Sequence, residues 1–84
     1  MKAIGTVINK SGKAIAIFQV KPDVVDDPEK AKTYRERLRR TFRTVPIVLI
    51  SLKDGRLVFE GDEKDIQLIK DDDMARYYWR GYQI

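Results

Sequence analysis

The sequence of 84 residues contains no cysteine and no histidine. Without cysteine, the chain has neither a disulfide framework nor a thiolate for covalent chemistry. Without histidine, it lacks the side chain that most often performs general acid–base catalysis near neutral pH. These two absences remove the commonest kinds of catalytic machinery. We therefore predict that the protein is not an enzyme and that it requires no cofactor.

Long apolar stretches are also absent. The sequence has no apolar run of membrane-spanning length, and no leader-like apolar segment near its first residue. We expect no membrane partner and a cytoplasmic location. A chain of 84 residues predicts one domain, residues 1–84, without a deep cavity for a small-molecule substrate.

Charge, in contrast, is plentiful. Charged residues make up 36% of the chain, above the usual level of about 25%. Lysine and arginine number 17 against 13 acidic residues, which gives a net charge of +4. A basic excess serves solubility, and it also favours polyanionic partners such as DNA or RNA.

Four segments have the composition of β-strands: residues 2–9, 14–20, 45–52 and 56–60. The second and third are almost unbroken apolar runs, which is typical of strands covered on both faces. Two turns separate the segments into two hairpins: Lys10-Ser11-Gly12-Lys13, in which Gly12 can take positive φ, and Lys53-Asp54-Gly55, whose Asp-Gly pair is a strong hairpin signal. Two strand orders fit. In the order 1-2-3-4 the second and third strands are parallel, whereas 2-1-3-4 is wholly antiparallel. Alternation in the first strand favours an edge position, so we expect the former.

A helix is predicted between the hairpins, from residue 28 to about residue 43. Asp27 can cap it, Pro28 fits its first position, and Glu29 suits the positive end of its dipole. Val45-Pro46 disfavours continuation of the helix. Apolar or small residues recur at helical spacing and predict its buried stripe: Ala31, Tyr34, Leu38, Thr41 and Phe42.

The C-terminal part of the chain also predicts helical structure, with Asp62 as a cap. Two alternatives remain, because Asp71-Asp72-Asp73 interrupts the apolar pattern. One is a single helix over residues 63–80. The other is a short helix, a break at the aspartates, and a second helical turn capped by one of them. The predicted fold is α+β, in the order ββαββα: two hairpins in one four-stranded sheet, a basic amphipathic helix between them and a C-terminal helical segment.

The middle helix carries the main candidate site. Residues 28–43 include seven basic residues and two acidic ones. Helical spacing places four of the basic residues along one flank: Lys32, Arg35, Arg39 and Arg43. Such a row can follow the phosphates of a nucleic acid, and arginine forks match phosphate oxygens. The alternative is a solvated helix face, on which Glu36 pairs with Arg40.

The C-terminal tail, residues 74–82, interleaves arginine with four aromatic residues. Aromatic faces beside cations can stack on the bases of a single strand. Four tail residues are candidates for stacking or phosphate contacts: Arg76, Tyr78, Trp79 and Arg80. The same residue types are common in protein interfaces, and a docked tail can also close the core. Because residues 76–79 cannot all face inward on a helix, at least one aromatic side chain is expected to be exposed.

The aspartate run at residues 71–73 lacks the spacing of a calcium loop, so we predict no metal site. Taken together, the residues favour a small, non-catalytic nucleic-acid-binding module that uses the basic helix and the basic-aromatic tail. The alternative is a protein-interaction or homodimerising module that uses the C-terminal aromatic residues.

Overall fold

The computed structural model describes residues 2–84, which form an α+β fold with a mixed five-stranded sheet and helices on both of its faces. The elements in chain order are β1 (Lys2–Lys10), β2 (Lys13–Gln19), α1 (Pro22–Asp26), α2 (Pro28–Arg39), β3 (Ile47–Lys53), β4 (Arg56–Glu60), α3 (Glu63–Ile69), a 3₁₀ turn (Met74–Arg76) and β5 (Arg80–Gln83).

The strand order is β4-β3-β2-β1-β5, with β2 and β3 parallel and every other pair antiparallel. The preferred order of the first four strands is thereby confirmed, but the expected edge position of the first strand was wrong, because β1 pairs with β2 on one side and β5 on the other. The prediction of a four-stranded sheet was wrong, because β5 pairs with the free edge of β1. A strand at this position satisfies backbone groups of β1 that would otherwise form an open edge.

Both hairpins close through two-residue turns with positive φ at each central residue. The values are 53° and 79° at Ser11-Gly12, and 51° and 76° at Asp54-Gly55. This is the geometry of a type I′ turn, whose twist matches that of the flanking strands. The second turn places Lys53 opposite Arg56. This pair fixes the register of β4 against β3 along their whole length.

The sheet separates two apolar cores, because β2 and β3 contribute alternate residues to opposite faces. On one side, the α2 face, Phe18 and Leu49 pack with Leu38 of α2. On the other side, the α3 face, Ile17 and Val48 pack with Ile69 of α3. The double coverage explains why these two strands are continuous apolar runs.

Helix α2 begins as predicted and ends earlier than predicted. The Asp27 carboxylate accepts a hydrogen bond from the backbone N–H of Glu29 at 3.0 Å, and Pro28 occupies the first turn. The helix stops at Arg39 because the chain turns there to bring Phe42 onto the α2-face core, with its ring centroid 5.4 Å from that of Phe18. Arg43 therefore lies beyond the helix, and its predicted place in a helical row was wrong.

Residues 22–26, which lie between the predicted second strand and the predicted middle helix, form the short helix α1. Pro22 suits a first helical turn, and Val24 and Val25 pack against the α2-face core.

At the C-terminal end, the second alternative is confirmed, because a short helix, a break at the aspartates and a second turn capped by one of them follow one another. Helix α3 stops at Ile69, and the Asp73 carboxylate caps the 3₁₀ turn by accepting from the N–H of Ala75 at 3.0 Å. Beyond Tyr77 the prediction of helical structure was wrong, since the chain becomes extended and forms β5. Tyr82 of this strand packs on Phe18, with ring centroids 5.4 Å apart. Within residues 2–84, no helix is both long enough and apolar enough to cross a membrane.

Candidate nucleic-acid interface

One flank of α2 faces β4, the strand that forms one edge of the sheet. Arg35 projects from this flank and donates two hydrogen bonds to the Glu60 carboxylate of β4. Both side chains are about 30% exposed, so the pair is partly shielded from water. Arg35 is therefore already engaged by a carboxylate of its own chain, and its charge is largely compensated.

A polar cleft of about 560 Å³ lies beside this pair, at the start of β3. Its charged lining consists of three basic and three acidic side chains: Lys13, Arg35, Arg39, Glu60, Asp62 and Asp65. Lys13 Nζ lies 2.5 Å from a carboxylate oxygen of Asp65, and Asp65 is only 4% exposed. Because its charges balance, the interior of the cleft does not favour an anion.

Four cations of α2 and the loop after it have no carboxylate partner anywhere in residues 2–84: Lys32, Arg39, Arg40 and Arg43. All four are exposed. The pairing of Glu36 with Arg40, which the solvated-face alternative requires, does not form. We call Arg39, Arg40 and Arg43 the basic end of α2.

The basic end of α2 also has a local structural role. The last carbonyl groups of a helix carry partial negative charge, so cations there stabilise the helix by about 0.3–1 kcal/mol each. Arg40 was missing from the predicted site because helical spacing placed it outside the flank of Lys32, Arg35, Arg39 and Arg43, in a helix predicted to continue to about residue 43. The helix ends at Arg39 instead, so Arg40 is its C-cap residue.

Acidic residues are concentrated on the other side of the sheet. Residues 62–73, which contain α3 and the turn after it, include six acidic and two basic residues. The α2 segment has the reverse composition. The α2 segment and residues 62–73 therefore have opposite net charge, and this difference orients an approaching polyanion towards α2.

The tail residues differ in accessibility. Tyr78 is 79% exposed, and the Arg80 guanidinium lies 6.0 Å from the centre of its ring. Trp79 instead packs in the α3-face core and donates its indole N–H to the carbonyl oxygen of Met74 at 2.8 Å. Arg76 is exposed and lies 4.0 Å from Asp73. Tyr78 is thus the exposed aromatic residue that the sequence required, and Trp79 closes the core.

The predicted site residues fall into two separate groups. Arg35 is held at the β4 edge of the sheet, whereas Arg80 belongs to β5 at the opposite edge. Four strand spacings separate these edges, which corresponds to roughly 19 Å. The structure therefore brings Arg35 and Arg39 together at the polar cleft. Arg43, in contrast, follows Phe42, whose ring centroid lies 5.4 Å from that of Tyr82 on β5.

The aspartate run has structural roles. Asp72 accepts hydrogen bonds from Lys10 Nζ at 2.8 Å and from the Tyr77 hydroxyl, and Asp73 caps the 3₁₀ turn. Within residues 2–84, no three acidic side chains are grouped as metal ligands would be. The hydrogen bond from Lys10, followed by that from Tyr77, lowers the pKa of Asp72. Burial, reinforced by the Asp72 carboxylate, strongly raises the pKa of Tyr77.

These shifts predict stability losses at both ends of the pH range. The lowered pKa of Asp72 stabilises the fold above its unfolded value of 3.8, and this contribution is lost as the pH falls through the folded pKa. The raised pKa of Tyr77 stabilises the fold below 10.0, and this contribution is lost as the pH rises above that value. Thermal unfolding across this range should show both declines. Tyr77→Phe should flatten the alkaline one, and an unchanged alkaline decline in that variant would contradict the assignment.

Searches against protein-family models, curated proteins and solved structures gave no significant match to this chain.

Proposed function

We propose that this protein is a small, non-catalytic nucleic-acid-binding module that contacts phosphates through Lys32 and the basic end of α2. The observation that carries the proposal is that four exposed cations without carboxylate partners are grouped on α2 and the loop after it. Lys10, Lys13, Lys30 and Lys53 are all neutralised by carboxylates of the same chain. The cations left without such partners at the end of α2 lie across the sheet from the acidic segment.

Exposed arginine groups suit a phosphate backbone for two reasons. The guanidinium fork matches phosphate oxygens in a bidentate manner, and it is less strongly hydrated than an ammonium group. Each phosphate contact releases condensed counterions, which supplies most of the affinity of sequence-independent binding. The exposed side of α2 is polar and charged, so we infer backbone recognition without selection of a base sequence.

The tail provides a second, smaller surface. Tyr78 with Arg80 above its ring presents an aromatic face and a positive charge, which is the combination that stacks on unpaired bases. This surface contributes only when an oligonucleotide extends from the basic end of α2 to β5, whose Tyr82 ring centroid lies 5.4 Å from that of Phe42 in the loop after α2. A single strand can use its bases at Tyr78, whereas a duplex keeps its bases paired.

The test is binding of a labelled single strand and a duplex of equal length, titrated with salt between about 50 and 200 mM. Four phosphate contacts predict that the logarithm of the association constant falls with the logarithm of salt concentration, with a slope of about −3 to −4. Absence of binding at the lowest salt would refute the proposal. Binding that does not change with salt would refute the phosphate mechanism.

A further inference from the structure

Among residues 2–84, strand β4 has no partner on one of its sides. It is the terminal strand of the sheet that these residues form, and it pairs there only with β3. An open strand edge can pair with another chain, and proteins commonly prevent this with proline, bulges or charges of one sign. The five residues of β4, RLVFE, contain no proline. The charges at its two ends have opposite signs, so they do not repel a second copy in antiparallel orientation.

The hairpin turn determines which backbone groups face the open edge. A two-residue turn closes on a hydrogen-bonded pair, here Lys53 and Arg56, and hydrogen-bonded pairs alternate along antiparallel strands. Arg56, Val58 and Glu60 therefore direct their backbone groups towards β3. The N–H and C=O groups of Leu57 and Phe59 point to the open edge.

We propose that β4 pairs in antiparallel orientation with β4 of a second copy of this chain, centred on Val58. In that register Leu57 of each copy lies opposite Phe59 of the other. Each of these two pairs exchanges two backbone hydrogen bonds, which gives four in total. Arg56 lies opposite Glu60 of the second copy, once on each side of the centre. The sequence of β4 is thus complementary to itself, as a two-fold interface requires.

The side chains fall on the appropriate faces of the sheet. Glu60 lies opposite Leu49, so it shares the α2 face with Arg56 and Val58. Two ion pairs would therefore flank a valine pair on that face. Leu57 lies opposite Leu52, and Phe59 belongs to the α3-face core, so apolar pairs would form on the other face. Opposite charges and apolar residues across strands each contribute roughly 0.2–1 kcal/mol.

The exposure of the leucines supports the same interface. Leu57 of β4 is 41% exposed, and Leu52, which lies opposite it on β3, is 65% exposed. Pairing with a second copy would cover part of this apolar surface. The bond from Arg35 does not prevent the new ion pair, because an ionised carboxylate such as that of Glu60 can accept about four hydrogen bonds.

The two-fold axis of such a pair is perpendicular to the sheet, so the α2 helices of both copies lie on the same side. The dimer would have one continuous sheet and two basic ends facing one direction. A contact of five residues on each strand is smaller than a standard interface of about 1,600 Å² in total. We therefore expect reversible association that becomes evident only at high protein concentration.

Sedimentation equilibrium up to about millimolar concentration tests the interface. The average mass should rise above 9.8 kDa towards twice that value. Arg56→Glu places like charges opposite each other twice, and so does Glu60→Arg, so each variant alone should associate at least about tenfold more weakly. Mixing the two variants restores both ion pairs, and the mixture should recover association. The matched control Lys64→Glu, an exposed reversal on α3, should associate like the original protein.

Every outcome decides the proposal. A monomer at all concentrations overturns it, and so does a dimer that Arg56→Glu does not weaken, which would place the contact at β5 or at the tail. If Glu60→Arg does not fold because Arg35 loses its partner, the comparison of Arg56→Glu with Lys64→Glu decides alone. Nucleic-acid binding is not needed for any of these measurements, so the interface stands or falls separately from it.

Discussion

Replacing Arg39, Arg40 and Arg43 together by glutamate is expected to weaken nucleic-acid binding about a thousandfold near 0.1 M salt. Each lost phosphate contact removes roughly a factor of ten in this salt range, since affinity scales with salt to the power of about −0.9 per contact. The slope of the logarithm of the association constant against the logarithm of salt concentration should become less negative by about three. Repulsion between glutamate and phosphate adds to the loss. Fluorescence anisotropy with a labelled oligonucleotide measures both quantities.

The matched control is a triple reversal away from both proposed surfaces: Lys21→Glu, Lys64→Glu and Lys70→Glu. These three residues are exposed, and none of them belongs to α2 or to the tail. The two triple variants have the same net charge, so equal losses would show that overall charge governs binding and the basic end of α2 does not. Because glutamate disfavours a helix C-terminus, circular dichroism should establish that the α2 variant is folded.

Phe18→Ala is expected to lower the free energy of unfolding by about 3–5 kcal/mol, the range typical of a buried phenylalanine. The side chain is completely buried, and its ring contacts those of Phe42 and Tyr82. It therefore joins β2 to the loop after α2 and to β5. Because small domains are stable by only about 5–15 kcal/mol, this single change removes a large part of the total. Urea denaturation followed by tryptophan fluorescence gives the value.

Gly5 lies against the ring of Phe18, so the effects of substituting Gly5 and Phe18 on the free energy of unfolding should not be additive. A Cβ atom at Gly5 would lie 2.4 Å from Cε2 of Phe18, which is too close for any real contact. Gly5→Ala should therefore cost about 1–3 kcal/mol in the intact core. In the Phe18→Ala background, the obstructing ring is absent, and the same change should cost little. Additive effects of the two substitutions would contradict this packing.

The parts of the fold that were predicted correctly are determined by residues close together in the sequence. Local residue types were sufficient to predict the Asp54-Gly55 turn, the helix start at Asp27-Pro28 and the strand around Val48. The parallel pairing of β2 and β3 followed from placing the two most apolar segments side by side.

Strand β5 was missed for the opposite reason. It is short, it contains Gly81, and only Tyr82 among its residues packs in the α2-face core. Its extended conformation depends on pairing with β1, almost eighty residues earlier in the chain, and on the contact with Phe18. No local pattern in the tail encodes such a contact.

The candidate site was only partly predictable because ion pairing is a long-range property. Helical spacing correctly put Lys32, Arg35 and Arg39 on one flank, but Arg35 is engaged by Glu60, 25 residues away in sequence. Lys13 and its partner Asp65 are 52 residues apart. Which cations remain free for a phosphate depends on how distant segments meet, and this becomes visible only in the folded chain.

The most direct measurement is a map of backbone amide chemical shifts during titration with a short oligonucleotide at low salt. The largest changes should occur at Lys32 and at residues 39–44, with a smaller group at Tyr78 and Arg80 for a single strand. Amides of α3 should remain unchanged. Changes centred on α3, or no changes at any position, would contradict the proposal that the basic end of α2 binds nucleic acid.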